Sequence, residues 1–336
     1  MKAAVFKALN QPLIVETLPD PTPGPKDVVI KVGRCGICGS DLHITEDPIF
    51  GVPGNTVLGH EYSGEVVEVG REVTGIRKGD RLAAFPLMSC GECGPCKTGQ
   101  SAWCEKGMVV GGGGYGQYST IAAHQAVRMP DGVSLDDGAL VEPMAVGLHG
   151  VNVSGMKSGA RVLVVGAGPI GLAVVFWARR MGAGKIVCTA SSTRRAALAM
   201  EMGATAFVGP SEDTIGDVSR ALGGAPEIVF ECVGKQGLIQ SCVDHVAPRG
   251  TVVIVGLCTQ PDTIQPFFMV NKEVRLQPSA FYELRDFQTT LDVFDAGVVT
   301  PHEMITDHVS LGAMPDAFEA LRSRTHQCKV LVDPWG

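Results

Sequence analysis

Residues 162–171 read VLVVGAGPIG, an apolar run without alternation that closes on glycines 166, 168 and 171. A strand apolar on both faces belongs in a parallel sheet covered by helices. The chain continues LAVVFWARRMGAGKIVCTA, a helical stretch followed by a second apolar run. In that strand–turn–helix setting each glycine has a separate task. Gly166 makes the turn, Gly168 lets the backbone approach a pyrophosphate, and Gly171 lets the helix pack on the strand. Pro169 and Ile170 open the helix, whose N-terminus offers unpaired N–H groups to an anion. The G-x-G-x-x-G string alone is a weak signal; in this context it predicts a dinucleotide site. Downstream, RRAALAMEMGA, AFVG, DVSRALGG, EIVFECVG, LIQSCVDHVA and TVVIVGL keep alternating helix and strand. That is the pattern of a doubly wound α/β domain.

The second strand of such a domain decides the cofactor. An acid at its end accepts hydrogen bonds from the ribose 2′-hydroxyl of NAD. Here KIVCTA ends at Ala190, and Ser191, Ser192, Thr193, Arg194 and Arg195 follow. Hydroxyls and guanidiniums are donors suited to a 2′-phosphate, which an acid would repel. The expectation is NADP(H) in preference to NAD(H).

With 336 residues the chain is long for one core, and two domains are expected. The composition is globular: 45% hydrophobic and 19% charged, with 43 glycines. The net charge of −7 and the lack of any Lys/Arg cluster beyond short pairs argue against a nucleic-acid partner. No apolar run reaches the roughly 18 residues that span a bilayer. The N-terminal MKAAVFKALNQPLIVE is broken by Asn10 and Gln11 and lacks a secretory h-region, so a reducing cytoplasm is expected.

Working back from the glycine turn, the first third is β-rich. VVIKVGRCGI alternates, and YSGEVVEVGREVTGIRKGDRLAAF sets β-branched runs between glycines. A partly closed, mainly antiparallel barrel is expected. Gly111–Gly114 precede a strand pattern and read as a flexible loop, not a phosphate cradle. From about residue 285 the pattern changes again. DFQTTLDVFDAG reads as a helix, and CKVLVDP as a closing strand that returns to the first domain.

The cysteines fall into two groups. CGECGPCKTGQSAWC places Cys90, Cys93, Cys96 and Cys104 close together, with Gly91, Gly94 and Pro95 turning the backbone between them. In a reducing compartment such clusters bind metal more often than they cross-link. Four thiolates form a closed tetrahedral zinc shell; an iron–sulfur cluster is the alternative. Upstream, CGICGSDLH and LGHEYSG supply Cys38, His60 and Glu61, ligand types whose spacing requires the fold to bring them together. Three protein ligands with an exchangeable fourth position would make a catalytic site.

Cys38-Gly-Ser-Asp-x-His43, Gly59-His60-Glu61-x-x-Gly64, Gly79-Asp80-Arg81, the four-cysteine lobe, Leu140-Val-Glu-Pro143 and the Gly166 turn occur in that order. Together they resemble the zinc-containing medium-chain alcohol dehydrogenases, over essentially the whole chain. The resemblance implies a GroES-like catalytic domain at 1–153 and 289–336, with a structural zinc lobe at 88–106. A Rossmann cofactor domain at 154–288 interrupts it, with the catalytic zinc in the cleft between the two. It implies two zinc ions per chain. Cys38, His60 and Glu61 would hold the catalytic one, and Cys90, Cys93, Cys96 and Cys104 the structural one. Glu142 stands where alcohol dehydrogenases of the older pattern carry a cysteine ligand. A glutamate there is similar to the polyol and threonine dehydrogenases, where it ligates directly or through water. Ser40 matches the hydroxyl that takes the alcohol proton, and His43 the histidine that relays it.

The same resemblance implies hydride transfer between a small alcohol or ketone and the nicotinamide, which should lie near Val233–Gly234 and Gly256–Leu257. It also implies a homodimer or homotetramer. Ile44, Ile49, Phe50 and Val52, with Phe267, Phe268 and Met269, point to an apolar pocket and a secondary, cyclic or aryl, substrate. Three readings compete. One is a polyol or threonine-type enzyme using NAD. Another is a zinc-free quinone reductase, which would lack both ligand sets. The last is a non-catalytic, zinc-stapled NADPH-binding redox sensor.

Overall fold

The computed structural model describes residues 1–297 and 301–336. Two compact units result: Met1–Glu142 with Glu283–Gly336, and Pro143–Tyr282. The sequence-based boundaries, 153/154 and 288/289, lie further along the chain. The reason is one helix, Leu135–Val153, that serves both units. Its first half packs on the first unit: Ser63 Oγ donates to Leu135 O at 2.5 Å, and a Cβ on Gly138 would meet Ser63 and Met129. Its second half packs on the other: Trp177 Nε1 donates to Met144 O at 2.8 Å. Pro143, which has no N–H, stands at the changeover. At the far boundary Phe287, on the helix Leu284–Asp295, meets Phe85 edge-on at 5.4 Å and joins the first unit.

In the first unit the strand Asp27–Gly36 is the organiser. It pairs antiparallel with Glu61–Val69, with Tyr118–Ala122 and with the C-terminal strand Lys329–Asp333. That last strand also carries Ile305–Ser310 in parallel. Val28, Ile30 and Val32 alternate inward and meet Leu82, Tyr62, Tyr115 and Phe318 in one core. Two registers matter below. Gly36 faces Glu61, and Leu331 faces Gly36. Extended by two residues, they set Gly59–His60 and Lys329 on either side of Cys38.

Gly111–Gly114 do not form the free loop expected. The segment is threaded between strands by hydrogen bonds from Gly111 N to Pro86 O, Gly113 N to Val57 O and Gly114 N to Gly59 O. A Cβ on Gly114 would press on Cys35 Sγ and Tyr62. Glycine is needed here for close approach, not for mobility.

The second unit is a six-stranded parallel sheet. Across it run Ala206–Val208, Lys185–Thr189, Arg161–Val165, Ile228–Glu231, Thr251–Ile254 and Arg275–Pro278. In chain order that is 3-2-1-4-5-6, the doubly wound order whose reversal point beside the first strand receives the ligand. The helices Pro169–Arg180, Thr214–Leu222 and Leu238–His245 cover it. Leu163, Val187, Val229 and Val252 form its buried middle. No helix among the described residues is long and apolar enough to cross a membrane.

Candidate active site and metal centres

Among the described residues, two groups of side chains converge tightly enough to share an ion. One is Cys38, His60 and Glu61; the other is Cys90, Cys93, Cys96 and Cys104. Within each, the candidate ligand atoms lie within 4.8 Å of one another. None of the eleven cysteines is joined in a disulfide.

The donor set of the four-cysteine lobe fits zinc. Cys90 Sγ and Cys96 Sγ are 3.8 Å apart. Zn–S bonds of about 2.3 Å give a tetrahedral edge of about 3.8 Å. The N–H groups of Glu92 and Cys93 point at Cys90 Sγ at 3.4 Å, and they pull that thiol down to about 6. Burial, with help from the neighbouring thiols, pushes Cys96 up to about 11. Four thiols this close ionise together only around a cation, so binding releases protons.

The first group is assembled by the two registers described above. Cys38 caps the short helix Gly39–Ile44, and Glu61 opens the neighbouring strand with His60 immediately before it. His60 Nδ1 lies 3.3 Å from Asp41 Oδ1, which leaves Nε2 for a metal. Burial works against the imidazolium, but Asp41 and Cys38 outweigh it and hold His60 well above the ordinary histidine value. Asp41 is fixed in turn by Tyr115, whose buried hydroxyl donates to Asp41 Oδ2 at 2.5 Å. Ser40 Oγ stands beside the group, 3.2 Å from Cys38 Sγ and 3.4 Å from His60 Nε2.

Glu61 has a partner that the sequence did not announce. Lys329 Nζ lies 2.8 and 2.5 Å from its two carboxylate oxygens. Burial alone would lower the lysine, but Glu61 and Cys38 raise it above its ordinary value. Gly36 makes room for the pair, since a Cβ there would overlap Glu61 Oε2 and crowd Lys329.

Two expected members are not brought into this cluster. Glu142 is buried midway along Leu135–Val153 and falls outside the Cys38–His60–Glu61 group. His43 is half-buried in the last turn of Gly39–Ile44, and no hydrogen bond joins it to Ser40. The apolar pocket also loses members. Ile44 and Val52 pack on the core of the first unit, and Met269 on that of the second. Their apolarity is explained by packing. Ile49, Phe267 and Phe268 remain exposed.

In the second unit the glycine turn has the geometry its residues predict. Gly166 has φ +109°, and a Cβ there would press on Val233. A Cβ on Gly171 would overlap Gly166 O, which sets the close helix–strand packing. A Cβ on Gly168 would meet nothing within 4 Å. Its freedom is toward open space, which fits a phosphate approaching the backbone. Beside the turn, Arg195 Nη1 donates to Ala167 O at 3.0 Å. Arg194 Nε reaches Ser192 Oγ at 3.2 Å. Val233 and Leu257, at the ends of later strands, are exposed at 39% and 43%.

The sequence alone does not mark Lys329, Asp41 or Tyr115 as site residues. Asp41 lay within a quoted motif, and Lys329 had a signal: one lysine leading the apolar run VLV of a buried strand.

Comparison with known proteins fits this arrangement. Residues 24–131 match the family model described as alcohol dehydrogenase GroES-like domain, and 169–296 the one described as zinc-binding dehydrogenase. Sorbitol dehydrogenase of Bacillus subtilis is 31% identical, covering 99% of this chain and 97% of its own. (R,R)-butanediol dehydrogenase of the same organism is 33% identical, covering 99% and 100%. A putative zinc-binding dehydrogenase from Sinorhizobium meliloti bound to NADP superposes with a TM-score of 0.89 at 32% identity, covering 99% of both chains. A short chain alcohol dehydrogenase from E. coli CFT073 complexed with NADH gives 0.90 at 27%, again covering 99% of both. This chain belongs to the zinc-containing medium-chain alcohol dehydrogenases, in their polyol dehydrogenase-like branch.

Proposed function

We propose that the chain interconverts a small secondary alcohol and its ketone with NADP(H), at a zinc site built on Cys38, His60 and Glu61. The observation that carries this is the convergence of those three ligand atoms with a serine hydroxyl beside them. Glu142, which lies outside the tight group, completes the site through water, and the four-cysteine lobe holds a structural zinc. When bound, the ion polarises the substrate oxygen and the nicotinamide carries the hydride.

The chain's own groups do the rest. Asp41 fixes the tautomer and orientation of His60. Lys329 balances the charge of Glu61. Ser40 takes the alcohol proton at Oγ and His43 passes it toward solvent. With no hydrogen bond between them, the proton crosses by an intervening hydroxyl or water. The glycine turn seats the pyrophosphate, and the nicotinamide lies against Val233 and Leu257. Ser40→Ala should lower kcat about a hundredfold or more while zinc content is unchanged. Near-normal turnover would remove Ser40 from the proton path.

Preference for NADP(H) is supported by the missing acid after Thr189 and by Arg195 beside the turn. For the substrate, core packing of Ile44, Val52 and Met269 removes much of the case for a cyclic or aryl alcohol. Relatives named for sorbitol and butanediol favour a vicinal diol or polyol. A panel of diols, polyols, simple alcohols and ketones, assayed with both cofactors, tests each part. NAD matching NADP in kcat/KM would overturn the cofactor assignment. We also propose a homodimer or homotetramer, which light scattering would distinguish.

A further inference from the structure

We propose that Glu231 is a positioning residue: it fixes the backbone shelf beneath the nicotinamide and, through its charge, favours the oxidised over the reduced cofactor. The proposal rests on the placement of the nicotinamide against Val233 and Leu257.

Glu231 ends the strand Ile228–Glu231, next to the strand that carries the glycine turn. It is 2% exposed. One carboxylate oxygen, Oε1, accepts from Val233 N at 2.8 Å and Gly234 N at 2.9 Å. Its backbone carbonyl accepts from Val255 N and Gly256 N, both at 2.9 Å. One residue therefore ties together the two loops that would carry the ring. The loops are also in backbone contact. Gly234 has φ +73°, and a Cβ there would overlap the Leu257 backbone. A Cβ on Gly256 would sit 2.5 Å from Glu231 Oε2. Both glycines make room for the carboxylate and for each other. Val233 and Leu257, fixed by this scaffold, present half-exposed apolar side chains that suit a flat ring.

Geometry alone does not require an acid. A glutamine would accept the same two N–H bonds through its amide oxygen, without the cost of a buried charge. Among the described residues Glu231 forms no ion pair, and Oε2 accepts no hydrogen bond from the chain. A buried charge without a protein counter-ion is expensive, and it persists where a ligand supplies the counter-charge. The oxidised nicotinamide ring carries a formal positive charge, and the reduced ring carries none. A carboxylate under the shelf therefore binds the two forms unequally.

The test is equilibrium binding, read by fluorescence titration of the zinc-loaded protein with NADP+ and NADPH. Glu231→Gln keeps both N–H bonds and removes the charge. NADP+ should weaken about tenfold, the scale of one partly screened charge pair, with NADPH unchanged. Glu231→Asp keeps the charge but is too short to hold both N–H groups. It should leave the ratio of the two dissociation constants near wild type and speed amide exchange at Val233 and Gly234. An unchanged ratio in E231Q, or a ratio in E231D shifted away from wild type, overturns the charge role. If E231Q does not fold, Glu231→Met, uncharged and of similar length, takes its place: the ratio of the two dissociation constants should shift about tenfold against NADP+, and an unchanged ratio overturns the charge role. A control separates this from the ring placement: the Val233→Ala/Leu257→Ala double variant should weaken NADPH but not an adenosine bisphosphate lacking the ring. If NADPH binding is unaffected there, the placement fails and the proposal with it. If NADPH weakens but the E231Q ratio is unchanged, only the charge role fails.

Discussion

Lys329→Met tests whether the metal cluster contains a buried ion pair that the first unit relies on. Glu61 is fully buried and Lys329 is 2% exposed. Nζ touches both carboxylate oxygens at 2.8 and 2.5 Å, and its remaining polar contact is Ile37 O at 3.4 Å. Methionine keeps the length and bulk of the stem and removes the charge. In chelator-treated protein the substitution leaves a buried carboxylate facing a thioether, at a cost of about 3–5 kcal/mol. For a unit of this size each kcal/mol lowers Tm by about 2–4 °C, so the drop should be about 6–20 °C. Zinc supplies a second counter-charge, so adding it back should recover a larger share of Tm in the variant than in wild type. Glu61→Gln on the K329M background removes the orphaned charge and should restore most of the loss in the metal-free protein. Melting curves followed by circular dichroism, with chelator and with zinc, give all the values. A K329M loss below about 2 °C in chelator, or a double variant no better than the single, would refute the reasoning.

Other outcomes follow from the same geometry. Cys38→Ser should remove one of two zinc ions per chain and the activity with it, whereas Cys104→Ser should remove the other and lower Tm first; elemental analysis with melting curves checks both. Gly168→Ala has open space for its methyl, so it should fold normally and weaken NADP(H) binding about tenfold or more. Gly171→Ala, whose methyl would overlap Gly166 O, should instead destabilise the second unit, and matching stability in the two variants would contradict the assigned roles. Asp80 is held below its ordinary value of 3.8: partial burial opposes ionisation, but the Arg77 N–H and the Arg128 guanidinium outweigh it. Its contribution is therefore present above that ordinary value and is lost as pH falls through the depressed one. Asp80→Asn should cost about 1 kcal/mol at neutral pH and nothing in strong acid, and a pH-independent difference in urea midpoints would exclude an electrostatic origin.

The two halves of the molecule were not equally legible, and the difference is one of contact range. The cofactor half is written in local signals. VLVVGAGPIG holds strand, turn and helix within twenty residues, and each glycine's task follows from what its neighbours leave no room for. The four-cysteine lobe is equally local. The unit boundary was not legible, because nothing in composition marks residue 142; it depends on which neighbours each half of one helix meets. Nor was the packing of Gly111–Gly114, where four glycines look the same whether they are free or wedged between strands.

The catalytic cluster shows why range matters most. Cys38, His60 and Glu61 were nameable by type, but Lys329 stands 268 residues from Glu61 and no spacing rule connects them. Two antiparallel registers connect them, Gly36 to Glu61 and Leu331 to Gly36. A slip of one residue in either would turn every side chain of that strand to the opposite face. The core packed from these strands, Val28, Ile30 and Val32 with Val330 and Val332, opposes such a slip, because it would put Val29 and Leu331, which are buried on the other face, in their places. The hydrophobic pattern that makes the sheet therefore also sets the distance between the ligands. A core substitution such as Val32→Ser should thus lower zinc affinity at a site it does not touch. Zinc titration of V32S and V32A separates the effects, since both open a cavity but only serine adds an unpaired buried hydroxyl. Unchanged zinc affinity in both, alongside a measurable loss of Tm, would show that the cluster tolerates a loosened register and that local packing around Asp41 and Tyr115 holds it instead.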